Sequence, residues 1–117
     1  MDALAAGQVI LLPFPFSDLT GSKLRPALLI ANAGRGDWIA CQITSNPYAD
    51  PYAIMLENDG FAAGGLRRIS YIRPGKLFTA NESLMAGSRG SLKARTLTQV
   101  RDSIVAMIRE TPKTIIG

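Results

Sequence analysis

Apolar residues run almost without interruption from Gln8 to Phe14, directly after Gly7. The stretch is rich in β-formers and reads as a strand. Pro13 and Pro15 donate no ladder hydrogen bonds, so the strand should end there or lie at a sheet edge. Ser17 to Ser22 is polar and reads as a loop. Arg25-Pro26 opens a second run, Ala27 to Ala31, whose Ala-Leu-Leu-Ile core is continuous rather than alternating. That pattern fits a strand buried on both faces. Asn32 to Asp37 holds two glycines and predicts a hairpin turn into a third strand, Trp38 to Thr44. A loop from Asn46 to Pro51 leads to a fourth strand, Tyr52 to Leu56, closed by Asn58-Asp59-Gly60.

The middle of the chain is less regular. Ala62 to Gly65 reads as small and flexible. Ile69 to Ile72 and Lys76 to Thr79 read as two short strands divided by Pro74-Gly75, and Ser83 to Leu92 has room for one more. Leu97, Val100, Ile104, Met107 and Ile108 then recur at steps of three and four. This predicts an amphipathic helix over Ala94–Arg109, packed by one stripe, with Pro112 stopping it. Many short strands and one terminal helix make the expected fold mainly β (α+β): a small, strongly curved barrel of short antiparallel strands with a C-terminal amphipathic helix.

Composition narrows the chemistry. The 117 residues suit a single domain over residues 1–117. There is no histidine, hence no imidazole base and no His-ligated metal. A lone Cys41 forms neither an internal disulfide nor a thiolate zinc cage. No metal or other cofactor is expected. The run from Val9 to Phe16 falls far short of the ~20 residues of a spanning helix, and Met1-Asp2-Ala3-Leu4 lacks a signal-like start. A cytoplasmic protein with no membrane association is expected. Charge is uneven: residues 1–60 carry three basic and six acidic side chains, residues 61–117 ten basic and three acidic. A basic half suits a polyanionic partner or an ordinary solvated surface.

Three groups of residues stand out. Arg25 precedes Pro26, which holds residue 25 extended, so a planar fork of donors suited to phosphate is carried on a rigid element. A surface salt bridge to Asp18 or Glu57 is the plain alternative. Thr44-Ser45-Asn46 ends the third strand with three hydrogen-bonding side chains, able to meet phosphate or base edges or simply to make a turn before Pro47. Arg67, Arg68 and Arg73, with Lys76 and Tyr71 nearby, mix charge and aromatic surface as a single-strand groove does. Gly21-Ser22-Lys23 lacks the first glycine and the helix of a phosphate loop. Asp50, Glu57 and Asp59 lack the spacing of a cation loop.

Gly7-Gln8-Val9-Ile10, Pro13 to Leu19, Gly21-Ser22-Lys23 and Arg25-Pro26-Ala27-Leu28-Leu29-Ile30 together resemble the N-terminal signature of the MazF/PemK toxin family. Ile43-Thr44-Ser45, the stretch Leu66 to Phe78 with Arg73-Pro74-Gly75-Lys76, and the closing helix fit the same pattern, so the resemblance spans about residues 7–109. It implies an SH3-like barrel, a homodimer, and a metal-independent endoribonuclease that cuts single-stranded RNA at short motifs. It also implies a cognate antitoxin whose acidic, disordered tail lies across the RNA groove. The family's active-site Arg and Thr fall on Arg25 and Thr44. RNA contacts are then expected from Lys23, Ser45, Asn46, Arg67, Arg68 and Arg73. The chain departs from the pattern in its short Ser22-Lys23-Leu24 loop, its basic Arg67–Arg68 region and its lack of histidine. The general base stays open between Asp18, Glu57 and no side chain at all. A topoisomerase-poisoning toxin of the same fold and an inactive RNA-binding module are the competing readings.

Overall fold

The computed structural model describes residues 3–15 and 22–110. The expected loop around Asp18 and the helix stop at Pro112 lie outside the described residues. Among those described, the chain forms a curled seven-stranded antiparallel sheet and a C-terminal helix. The strands are β1 (Gln8–Pro15), β2 (Ser22–Gly34), β3 (Asp37–Thr44), β4 (Ile54–Leu56), β5 (Phe61–Gly64), β6 (Ser70–Asn81) and β7 (Gly87–Leu92). Helix α1 spans Ala94–Arg109. The strand order is β4-β6-β3-β2-β1-β7-β5. No helix among the described residues is long and apolar enough to cross a membrane.

The continuous apolar runs feed two cores. Val9, Leu28, Ile30, Cys41, Ile43 and Ile72 pack on one face of the sheet with Val100 and Ile104 of α1. Ile10, Leu12, Ala27, Leu29, Trp38 and Ala40 pack on the other. Neighbouring strand residues point to opposite faces, so Ala27-Leu28-Leu29-Ile30 alternates between the cores. Pro13 and Pro15 lie beyond Leu11, the last β1 residue paired with β7, and pair only with β2. Their missing N–H groups therefore interrupt no second ladder.

The middle of the chain departs from expectation twice. Pro74-Gly75 does not divide two strands. β6 runs through it, with Arg73 opposite Gln42 and Leu77 opposite Cys41, so Pro74, Gly75 and Lys76 form a bulge. Pro74 is fully buried there. Ala62 to Gly64 is not a flexible stretch but most of edge strand β5, whose Gly64 pairs with Gly90 of β7. A Cβ on Gly64 would lie 2.2 Å from the Arg89 carbonyl oxygen, and one on Gly90 2.1 Å from that of Ala63. Only glycine permits this approach, and both residues also have positive φ.

The helix has its expected bounds. Val100 and Ile104 are buried, but the stripe stops short of the last turn, where Ile108 is 72% exposed. Two polar anchors join α1 to the turn before β5 and to β2. Thr96 Oγ1 donates to Gly60 O at 3.1 Å, and Arg101 Nη2 to Ile30 O at 2.7 Å.

The glycine pair makes a prediction. Gly90→Ala should lower the unfolding free energy by roughly 1–3 kcal/mol in urea titrations. Gly87→Ala, in the same strand with nothing within 4 Å of the new Cβ, should stay within about 0.5 kcal/mol of the parent.

Candidate functional site

The β2–β3 ladder pairs Leu28 with Cys41 and Ala27 with Gln42. The same register carried on by two residues sets Arg25 opposite Thr44. Both line a shallow depression of about 220 Å³ at this end of the sheet. Ser45 lines it too, as do Arg67 and Arg68 from the segment between β5 and β6. Three arginines thus line one hollow, and none of its described lining residues carries a carboxylate. Ile43, Leu66 and Pro26 supply an apolar floor.

Thr44 is 9% exposed. Its Oγ1 accepts the Asn46 N–H at 3.2 Å. A hydroxyl so engaged keeps its own proton to donate. Ser70 Oγ donates to Arg68 O at 3.1 Å and pins the turn that presents the two arginines. Cys41 lies behind the strand, fully buried. Burial pushes its thiol up to about 12, so it stays neutral and is no nucleophile.

The hollow is part of a longer groove. A depression of about 250 Å³ adjoins it, sharing Leu66, Arg67 and Arg68 and adding Glu57. Another of about 410 Å³ shares Pro26, Leu66 and Arg67 and adds Arg89 of β7. Arg89 was missed from sequence. Nothing local marks it, because the Gly64–Gly90 pairing that brings β7 beside β5 is a tertiary event.

The structure brings together five of the expected residues: Arg25, Thr44, Ser45, Arg67 and Arg68. Lys23 is exposed on β2, paired with Phe14 outside the hollow. Asn46 spends its Oδ1 on the Tyr48 N–H at 2.9 Å. Arg73 points elsewhere. Its Nε donates to Asp50 Oδ2 at 2.9 Å and its Nη1 to Gln42 Oε1 at 3.0 Å, with side-chain exposures of 14% for Arg73 and 11% for Asp50. Glu57, one candidate base, lines the adjoining depression rather than the one holding Arg25. Asp18, the other, lies outside the described residues. Among the described residues, no three His, Cys, Asp or Glu side chains are grouped to hold a metal ion.

Residues 5–108 match the family model for the PemK-like, MazF-like toxin of type II toxin-antitoxin systems. The chain belongs to this PemK/MazF family. Solved structures agree on the fold. A MazE–MazF complex from Deinococcus radiodurans superposes with a TM-score of 0.69 at 20% identity, covering 92% of this chain and 98% of that one. An endoribonuclease in complex with its cognate antitoxin, from a mycobacterial species, gives 0.67 at 17% identity, covering 94% and 100%. The Mycobacterium tuberculosis toxin MazF-mt6 gives 0.63 at 14%, covering 88% and 99%. No curated protein matches the chain by sequence. The shared fold agrees with the small curved antiparallel barrel and C-terminal helix expected from the strand pattern, and with the family that the N-terminal residues resemble.

The Arg73–Asp50 pair gives this PemK/MazF chain a pH signature. The Arg73 hydrogen bond, helped by the Tyr52 N–H, holds the Asp50 carboxyl below its ordinary value of 3.8. A carboxyl whose pKa falls on folding stabilises fully above its unfolded value and loses that contribution as pH drops through the folded one. Wild type should exceed Asp50→Asn by about 1–3 kcal/mol at pH 7. That gap should close as pH falls below 3.8, measured by urea unfolding at each pH.

Proposed function

We propose that the chain is the toxin of a toxin–antitoxin pair, a metal-independent endoribonuclease that cuts single-stranded RNA at a short sequence. The observation that carries this reading is the convergence of Arg25, Thr44, Arg67 and Arg68 on one basic hollow. Two of these match the family's active-site Arg and Thr.

The chemistry follows from the groups present. The RNA's own 2′-hydroxyl oxygen attacks the adjacent phosphorus, and the bond to the 5′-oxygen breaks. The products are a 2′,3′-cyclic phosphate and a 5′-hydroxyl. An intramolecular nucleophile needs no metal to generate it, and positioning alone supplies much of the acceleration. The extra negative charge on the phosphate oxygens must be met by donors already in place. Arg25 is the clamp, with protonation of the leaving oxygen as a second role. A guanidinium donates hydrogen bonds and keeps its proton, which makes arginine a poor base. The Thr44 hydroxyl donates to the same phosphate. The proton of the attacking hydroxyl goes to Asp18, to Glu57 of the adjoining depression, or to no side chain at all, with charge stabilisation by Arg25 and Thr44 acting in each case.

Arg67 and Arg68 line the hollow itself and the depression beside it, and Arg89 lines the other adjoining depression. They suit an RNA backbone, and equally the acidic, disordered tail of a cognate antitoxin laid along the same track. Complexes of related toxins with their antitoxins support that partner. A cytoplasmic homodimer, with a single toxin domain per chain, completes the reading.

The test is cleavage of an unstructured RNA in excess EDTA, with both ends mapped. Wild type should cut at a short recurring sequence and leave 5′-hydroxyls. Arg25→Ala should lose about 10²–10³-fold in rate, and Thr44→Val about 10-fold or more. Folded, antitoxin-free protein that leaves RNA intact would remove the enzyme reading and return the topoisomerase poison and the inactive RNA-binding module to the front. A second measurement addresses the groove. Arg89→Gln and Arg67→Gln should each flatten the slope of log affinity against log salt by about 0.7, without moving the cut.

A further inference from the structure

The segment between β3 and β4 carries two tyrosines that neither core uses. Tyr48 is 62% exposed and Tyr52 43%. The backbone beneath them is unusual. Tyr48 has φ of +53° and Ala49 of +57°, two consecutive left-handed residues with no glycine between them. A bulky side chain rarely takes that conformation. Here it is imposed from several sides. Thr44 Oγ1 accepts the Asn46 N–H, and Asn46 Oδ1 accepts the Tyr48 N–H. Asp50 N donates to Pro47 O at 2.9 Å, and Asp50 Oδ1 accepts the Tyr52 N–H at 2.9 Å. Arg73 fastens Asp50 from β6. The Arg73 guanidinium carbon also lies over the Tyr48 ring, 5.4 Å from its centroid. Backbone strain that the surroundings hold in place marks positions whose conformation matters to function.

The geometry points to Tyr48 as a base-stacking residue for the RNA, seated by Arg73. This rests on the ribonuclease reading above. The hydrogen-bond chain that shapes the loop starts at Thr44 itself, so at most roughly 14 Å of extended backbone separates Tyr48 from the Thr44 position. Gln42 and Thr44 share one face of β3, and Gln42 accepts from Arg73 beneath the ring, so an RNA strand running on past Thr44 along that face meets Tyr48. Unpaired bases offer a π-face to any aromatic side chain, whatever their identity. Arg73 backs the ring with a cation, which polarises the stack and keeps the ring from turning. The neighbouring guanidinium groups of the groove favour RNA over an apolar protein segment as the occupant. Arg73 is thus a positioning residue, acting through Tyr48 and the loop.

The test uses a short dye-labelled single-stranded RNA with 2′-O-methyl groups, which block the attacking hydroxyl. Anisotropy gives Kd for the full-length wild type, Tyr48→Ala, Tyr48→Phe and Arg73→Met. Tyr48→Ala should weaken binding by about 5- to 100-fold with an unchanged melting temperature. Tyr48→Phe should bind as wild type does, and Arg73→Met should lie between. On cleavable RNA, Tyr48→Ala should raise KM and leave kcat nearly unchanged. A scan of single abasic sites should find one position that costs wild type affinity and costs Tyr48→Ala nothing further. Unchanged Kd and KM in Tyr48→Ala, in a protein whose wild type still cuts RNA, would overturn the stacking role alone. So would an equal loss in Tyr48→Phe, or no abasic position that couples to Tyr48. Wild type that neither binds nor cuts RNA would overturn the ribonuclease reading and this one with it.

Discussion

The site depends on the register between β2 and β3. Arg25 lies two residues beyond Ala27 on one strand, and Thr44 two beyond Gln42 on the other. They stand together only because Ala27 pairs with Gln42. Polarity alone does not fix this register, since the central residues Ala27 to Ile30 of β2 and Ala40, Cys41 and Ile43 of β3 are apolar and buried on both faces. Volume and the turn fix it. The small Ala27 and Ala40 share one core with the large Trp38 and Leu29, while Leu28 and Cys41 fill the other. A slip of one residue would exchange these sets and misfill both cores. At the far end Gly34, Arg35 and Gly36 turn with three consecutive positive φ angles, which sets the loop length and hence the pairing.

That dry double core lets the groove be highly charged. Arg67 and Arg68 stand on an exposed segment, so water screens their mutual repulsion until a polyanion displaces it. Arg73 is only six residues from Arg67 yet does different work. It lies across β3 from Arg25, nearly buried, where an unpaired guanidinium would be costly. Asp50, Gln42 and the Tyr48 ring satisfy it. The arginines are therefore divided by exposure. The exposed ones suit a polyanionic ligand, and the buried one shapes the loop beside Thr44.

Much of this was legible in the chain. The unbroken apolar run at Ala27–Ile30 foretold a strand buried on both faces, and the three-and-four spacing foretold α1. Pro26 and the polar end of the third strand drew attention to Arg25 and Thr44 before their pairing was known. What stayed hidden depended on distant contacts. Ala62 to Gly64 carries no strand signal, because glycine and alanine there serve a close backbone approach to β7. Pro74-Gly75 reads as a break in any local pattern, yet a buried bulge accommodates it inside β6. Arg73 looked like part of a basic patch until Asp50, distant in sequence, proved to be its partner. Arg89 joined the groove through the same glycine pair that hid β5.

The central claim is that RNA occupies the hollow between Arg25 and Thr44. The most direct measurement is an NMR titration of the isotope-labelled protein with a short 2′-O-methyl RNA. The account predicts that backbone amides of Arg25, Thr44, Ser45, Arg67 and Arg68 shift together and saturate at one stoichiometry. Shifts confined to residues outside the hollow, such as Ile39 or the Asp59–Arg95 pair, would contradict it.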